Sequence, residues 1–191
     1  GSMDDRVLGT VGDKNKTGTQ VRLETEGGSG GKGADNGATR FGGGDGGNGG
    51  KLEFEQLGKI VTKSRWNQSR QTPLIQLDST GGRGGHVPKL TFGPGGLNGI
   101  KKGAHGGVGG DGGQVDLVIG SDTGVIGRRY ALARAISQGG AGGRGNMGNT
   151  KNVGGDGGDV TGRIKADGTG KKIKVSTYGH YAPVLVLQSI G

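Results

Sequence analysis

Apolar and polar residues alternate with period two in short runs along the chain: Val21, Leu23 and Thr25; Leu52 and Phe54; Ile75 and Leu77; Val115, Leu117 and Ile119; Ile173 and Val175. Alternation of this kind places the apolar side chains on one face of an extended strand. Together with the apolar run Val184 to Leu187, it predicts roughly seven to nine short strands. Helical periodicity is nearly absent. The segment from Val125 to Arg134 can be read either as a short helix or as the start of a strand, with Gly127 weighing against the helix.

The segments between these strands are glycine tracts, and comparing the chain with itself shows three copies of one excursion. The first leaves the Val21 strand through Gly27-Gly28-Ser29-Gly30-Gly31-Lys32-Gly33 and returns through Gly43 to Gly50 into the Leu52 strand. The second leaves through Gly81-Gly82-Arg83-Gly84-Gly85 and returns through Gly106 to Gly113 into Val115. The third leaves through Gly139 to Gly145 and returns through Gly154-Gly155-Asp156-Gly157-Gly158 into Val160. The repeats therefore span 27–50, 81–113 and 139–158, and every returning tract carries Gly-Gly-Asp-Gly-Gly, with Asp45, Asp111 and Asp156 in equivalent positions.

Two glycines per triplet match the three-residue turn of an extended polyproline-II-type helix, which has no internal backbone hydrogen bonds and needs close neighbours to supply them. The expected fold is accordingly all-β. A small β-sandwich or barrel of antiparallel strands carries a projecting bundle of six polyglycine or polyproline-II-type helices in three hairpin pairs. Collagen is excluded by four prolines and short tracts, whereas flexible linkers and disorder stay open as alternatives.

Composition sharpens this picture. Glycine supplies 51 of 191 residues while only 28% are hydrophobic, so a conventional core is under-supplied. The formal charge is +9, which favours acidic partners. Cysteine is absent, which excludes disulfides and thiolate chemistry. The longest apolar run, Val184 to Leu187, is far short of a transmembrane span. Gly1-Ser2 ahead of Met3 reads as a cloning remnant, so residues 1–20 are set apart from a single composite domain at 21–191.

Catalytic constellations are thin. His86, His105 and His180 stand singly, although the first two approach each other if their tracts lie side by side. Ser29 matches a Gly-x-Ser-x-Gly string only because it sits inside a glycine tract. Asp45, Asp111 and Asp156 are read as structural, capping backbone amides or pairing with Arg83 or Arg144, in preference to a metal cluster. The expectation is a non-enzymatic binding or structural module without cofactor or metal. If the excursions are hairpins, their turns bring basic residues to one far end: Lys32, Arg40, Lys89, Lys101, Lys102, Arg144 and Lys151. Such tips suit an acidic macromolecule, RNA or an anionic glycan, or a protein receptor, and self-assembly is compatible with the same pattern. Phe41, Phe92 and Trp66 are candidates for stacking on a base or sugar, although Trp66, in the polar connector Lys63 to Asn67, is read in preference as a packed anchor.

In the pairing of outgoing and returning tracts, and in Gly106 to Ile119 and Gly154 to Ile164 above all, the chain resembles the glycine-rich amino-terminal domain of the Obg family of ribosome-associated GTPases. The resemblance covers roughly Val21 to Ile164. It implies a β-barrel with six glycine-rich helices and a ribosomal RNA partner. The GTPase half of that family has no counterpart here, since Gly168-Thr169-Gly170-Lys171-Lys172 lacks the spacing and hydroxyl of a phosphate-binding loop. Glycine-helix bundles are similar also to the receptor-binding tips of certain phage adhesins, which keeps an adhesin, delivery or assembly module open as a second class.

Overall fold

The computed structural model describes residues 2–7, 19, 21–33, 42–57, 73–87, 105–120, 123–126, 131–145, 153–165, 175–178 and 183–191. Ten strands order them: β1 (Met3–Val7), β2 (Val21–Glu26), β3 (Leu52–Gln56), β4 (Ile75–Thr80), β5 (Val115–Ile119), β6 (Thr123–Ile126), β7 (Ala133–Gln138), β8 (Val160–Ile164), β9 (Val175–Tyr178) and β10 (Leu185–Ile190). One four-stranded sheet runs β1-β3-β5-β8 and a second runs β10-β7-β4-β2, with β6 and β9 forming a two-stranded third sheet. Every pairing is parallel and in step, as in Leu52↔Val115 and Ile75↔Ala133.

This topology is a coil. Each turn passes from a strand of the second sheet, out and back through a glycine excursion, into a strand of the first sheet, and then returns to the second sheet one step further along. Successive turns stack, so each repeat contacts its neighbours as in a solenoid.

Two findings overturn the expected fold. Both four-stranded sheets are parallel, and no helix occurs among the described residues. The antiparallel sandwich or barrel bearing a bundle of six glycine helices is therefore not this fold. The physical reason lies in the connections: β2 and β3, joined by one excursion, belong to different sheets, and the whole turn serves as the long crossover that parallel neighbours require. Period-two alternation reports a half-buried strand and is silent on the direction of the strand beside it. The segment before β7, ambiguous in sequence, enters as strand at Ala133.

The alternation does position a core. Leu52, Phe54, Ile75, Leu77, Val115, Leu117, Ile119, Leu132, Ala133 and Ala135 form one buried cluster where the two sheets face each other. The low apolar content thus still builds a small core, because the apolar residues are concentrated at the inward positions of β3, β4 and β5.

The three-residue period of the tracts has its counterpart in sideways bonding. Gly30 N donates to Arg83 O at 2.7 Å and Gly84 N to Ala141 O at 2.9 Å, linking the outgoing tracts in order. The returning tracts are linked likewise by Gly46 N to Val108 O (2.8 Å) and Gly109 N to Val153 O (3.0 Å). The two layers are bonded to each other through pairs such as Gly47 N to Gly28 O and Gly110 N to Gly82 O. At the junction with the sheets, the buried Ser79 hydroxyl accepts from Gly113 N at 2.9 Å and donates to Gly50 O at 2.8 Å, and Ser137 accepts from Gly158 N at 2.7 Å. Dense backbone bonding of this kind offsets the entropy that glycine loses on folding.

Candidate cationic face on the outgoing tracts

In each triplet the first glycine faces the opposite layer and the second faces the preceding tract, which leaves Gly28 and Gly31 of the first tract open, and the third residues form the two outer surfaces. On the outgoing layer those third residues are Ser29 and Lys32, Arg83 and His86, and Ala141 and Arg144, all exposed. The register is set by the backbone. Gly33, following Lys32, donates to His86 O at 3.0 Å, and Val87, following His86, donates to Arg144 O at 2.9 Å. Lys32, His86 and Arg144 therefore occupy one level on three adjoining tracts, with Arg83 one triplet nearer the sheets. Neighbouring hydrogen-bonded backbones lie about 4.8 Å apart, so these side chains make one continuous surface. No carboxylate belongs to the described third positions of this layer.

His86 also takes part in the backbone network. Its Nδ1 accepts from Arg144 N at 2.8 Å, which leaves the ring proton on Nε2.

The returning layer has the opposite sign. Its third residues include Asp45, Asn48, Asp111 and Asp156, with Val108 and Val153, and no Lys or Arg stands among the described positions ahead of Lys51 at the strand junction. The carboxylates are occupied by backbone. Asp45 Oδ1 accepts from Val108 N at 2.8 Å, and Asp111 Oδ1 accepts from Asp156 N at 2.9 Å. Asn48 Oδ1 does the same for Asp111 N at 2.9 Å. Each caps the third-position amide of the next tract, an amide whose direction takes it out of the glycine lattice. These aspartates lie on the layer opposite Arg83 and Arg144, so the sequence-level alternative of a pairing between them does not arise.

Asp111 tests this role. Asp111→Asn keeps an acceptor oxygen and should leave stability within about 0.5 kcal/mol, whereas Asp111→Ala should cost about 1 kcal/mol, measured by urea denaturation. Equal losses in the two variants would show that the charge, and not the acceptor, matters.

A second feature lies on the outward face of the first sheet, a groove of about 490 Å³ lined by Asp4, Glu53, Glu55, Asp116, Thr161 and Arg163 among others. Asp4, Glu53 and Asp116 share one cross-strand row. Glu53 and Asp116 are already engaged. Lys51 pairs with Glu53, and Asp116 accepts from Gln114 Nε2 at 2.8 Å and from the Thr161 hydroxyl. The hydrogen bond to Glu53, reinforced by the charges of Glu53, Asp116 and Asp4, holds the Lys51 ammonium above its ordinary pKa. Among the described residues no group of three or more His, Asp or Glu is arranged to hold a metal ion.

Of the basic residues expected at the tips, the structure describes Lys32 and Arg144 and sets both on the outgoing layer. Arg40, Lys89, Lys101, Lys102 and Lys151 lie outside the described residues, as do Phe41, Phe92, Trp66 and His180. His105 is exposed on the returning side of the second excursion. The tip reading leaves out Arg83 and His86 as members of a basic surface. Sorting the triplets by direction of travel finds them, since the outgoing third positions are cationic and the returning ones anionic. No family model matches the chain, and no curated protein and no solved structure matches it.

Proposed function

We propose that this chain is a non-enzymatic binding module that presents the outgoing glycine layer to an acidic macromolecule. The observation that carries the reading is the cationic face of Lys32, Arg83 and Arg144, with the His86 imidazole among them, held in register by backbone bonds and free of carboxylates at its described third positions. Glycine on either side of each cation leaves little side-chain bulk around it, so an extended polyanion can lie close along or across the tracts. The side chains stand on a backbone lattice and not on single loops, which reduces the ordering cost of binding.

The test is a titration with fluorescein-labelled single-stranded RNA and, separately, with a sulfated polysaccharide, each at 50 mM and 200 mM salt. Binding should weaken with salt. The triple variant Lys32→Ala/Arg83→Ala/Arg144→Ala should flatten the log–log salt slope for RNA by about 2, at roughly 0.7 for each phosphate the variant no longer neutralises. A triple variant that binds with the wild-type slope places the site elsewhere. No binding of either polymer at low salt ends the proposal.

A further inference from the structure

The two ends of the coil differ, and the difference is complementary. At the β8/β10 end, Ile164 and Leu187 are 49% and 41% exposed, although Ile119, Ala135 and Leu77 on the same rows are buried, and Ile190, on the outward row of Gln138 and Thr80, is 40% exposed. Both strands are edges of parallel sheets, a place where proteins ordinarily set charge or proline to block pairing. Neither occurs in Leu185–Ile190. At the other end β1 and β2 are the opposite edges of the same two sheets, and Met3 is 44% exposed.

Backbone polarity separates the ends further. Within each layer, amides of the earlier turn donate to carbonyls of the later one, as in Gly27 N to Thr80 O, Gly81 N to Gln138 O and Gly139 N to Ile190 O, while bonds between the layers run the other way, as in Gly82 N to Gly47 O and Gly140 N to Gly110 O. The last turn is thus left with outward donors, and the Gly142 and Gly157 amides have no acceptor among the described residues. The first turn is left with outward carbonyls at the equivalent positions, Ser29 and Asn48, to which no backbone amide among the described residues donates.

We propose that a second copy of this chain docks head to tail, its β1/β2 end on the β8/β10 end of the first, continuing both sheets. The cross-strand ladders extend by one further step of the same chemistry. Leu23–Leu77–Ala135–Leu187 would add Leu23 of the second copy on Leu187, and Thr25–Ser79–Ser137–Ser189 would add its Thr25 on Ser189. Gly142 N would meet the carbonyl of its Ser29, and Gly157 N that of its Asn48. Such a contact is heterologous, so it leaves a free end on each copy and grows beyond a dimer.

Sedimentation velocity over a concentration series tests this directly. Wild type should move from monomer to dimer and larger species as concentration rises. Leu187→Lys blocks one end and Leu23→Lys the other, so each variant alone should be monomeric while their 1:1 mixture should stop at a dimer. Should a lysine variant lose its cooperative thermal melt, Leu187→Gln and Leu23→Gln replace the pair. Wild type that stays monomeric across its solubility range overturns the proposal and leaves that end to a different partner. Self-association by either blocked variant alone overturns it as well, because the contact would then be symmetric.

Discussion

Gly82→Ala is expected to destabilise the protein by about 3 kcal/mol, or roughly 10 °C in Tm, while Gly28→Ala on the neighbouring tract leaves it unchanged or slightly more stable. The two positions are equivalent in sequence, each the second glycine of its tract. Gly82 is buried between the layers, where its amide donates to Gly47 O at 2.7 Å and its carbonyl accepts from Gly110 N at 2.8 Å. A Cβ there would collide with the backbone carbonyl oxygens of Gly27 and Gly28, neither of which can yield without disturbing the glycine lattice around it. A Cβ on Gly28 meets nothing within 4 Å. Its only effect is to restrict the unfolded chain, worth about 0.4–1 kcal/mol in favour of folding. Thermal melts of the two variants decide the matter: equal losses would mean that the close-packed glycine layers do not govern stability.

Phe54→Ala is expected to cost about 3–5 kcal/mol, against a change within about 0.5 kcal/mol for Val108→Ala. Phe54 is 1% exposed on β3, inside the cluster that includes Leu52, Ile75, Leu117 and Leu132. Removing its ring leaves a cavity that parallel sheets, bonded on both sides, relax around only partly. Val108 is half exposed on a returning tract and loses little on truncation. A loss on the Phe54 scale is a large share of the stability of an ordinary domain, and the urea midpoint and slope of the variant measure it. A small effect of Phe54→Ala would assign nearly all of the stability to the glycine layers and make the sheets passengers. A single transition in both Phe54→Ala and Gly82→Ala, coincident by two probes, would mean that core and lattice unfold as one cooperative unit.

The alternating runs at Val21, Leu52, Ile75 and Val115 coincide with β2, β3, β4 and β5, because period two on a half-buried strand is a local property. The three copies are equally legible, being written in the chain, but the equivalence of Asp45 with Asp111 and Asp156 is not kept: Asp45 stands level with Val108, and Asn48 takes the level of Asp111 and Asp156. What the alternation does not carry is pairing. Ile75 lies beside Val21 and Ala133, residues more than fifty positions away in each direction, and only long-range register puts them there. The basic residues are legible one by one, yet their grouping is not, since it depends on which tract lies beside which. Arg83 and His86 look like unrelated members of one short tract, and His86 joins Lys32 and Arg144 only through the bonds from Gly33 and Val87.

Strand positions, the repeat, and the need for glycine wherever backbones meet can thus all be read along the chain, since they follow from local periodicity and from the absence of a Cβ. The parallel direction of neighbouring strands and the stacking of outgoing and returning tracts into two separate layers belong to the folded coil alone. So does the difference in bonding polarity between its two ends. These properties arise from hydrogen bonds between turns more than forty residues apart, and no local pattern of residues encodes their direction.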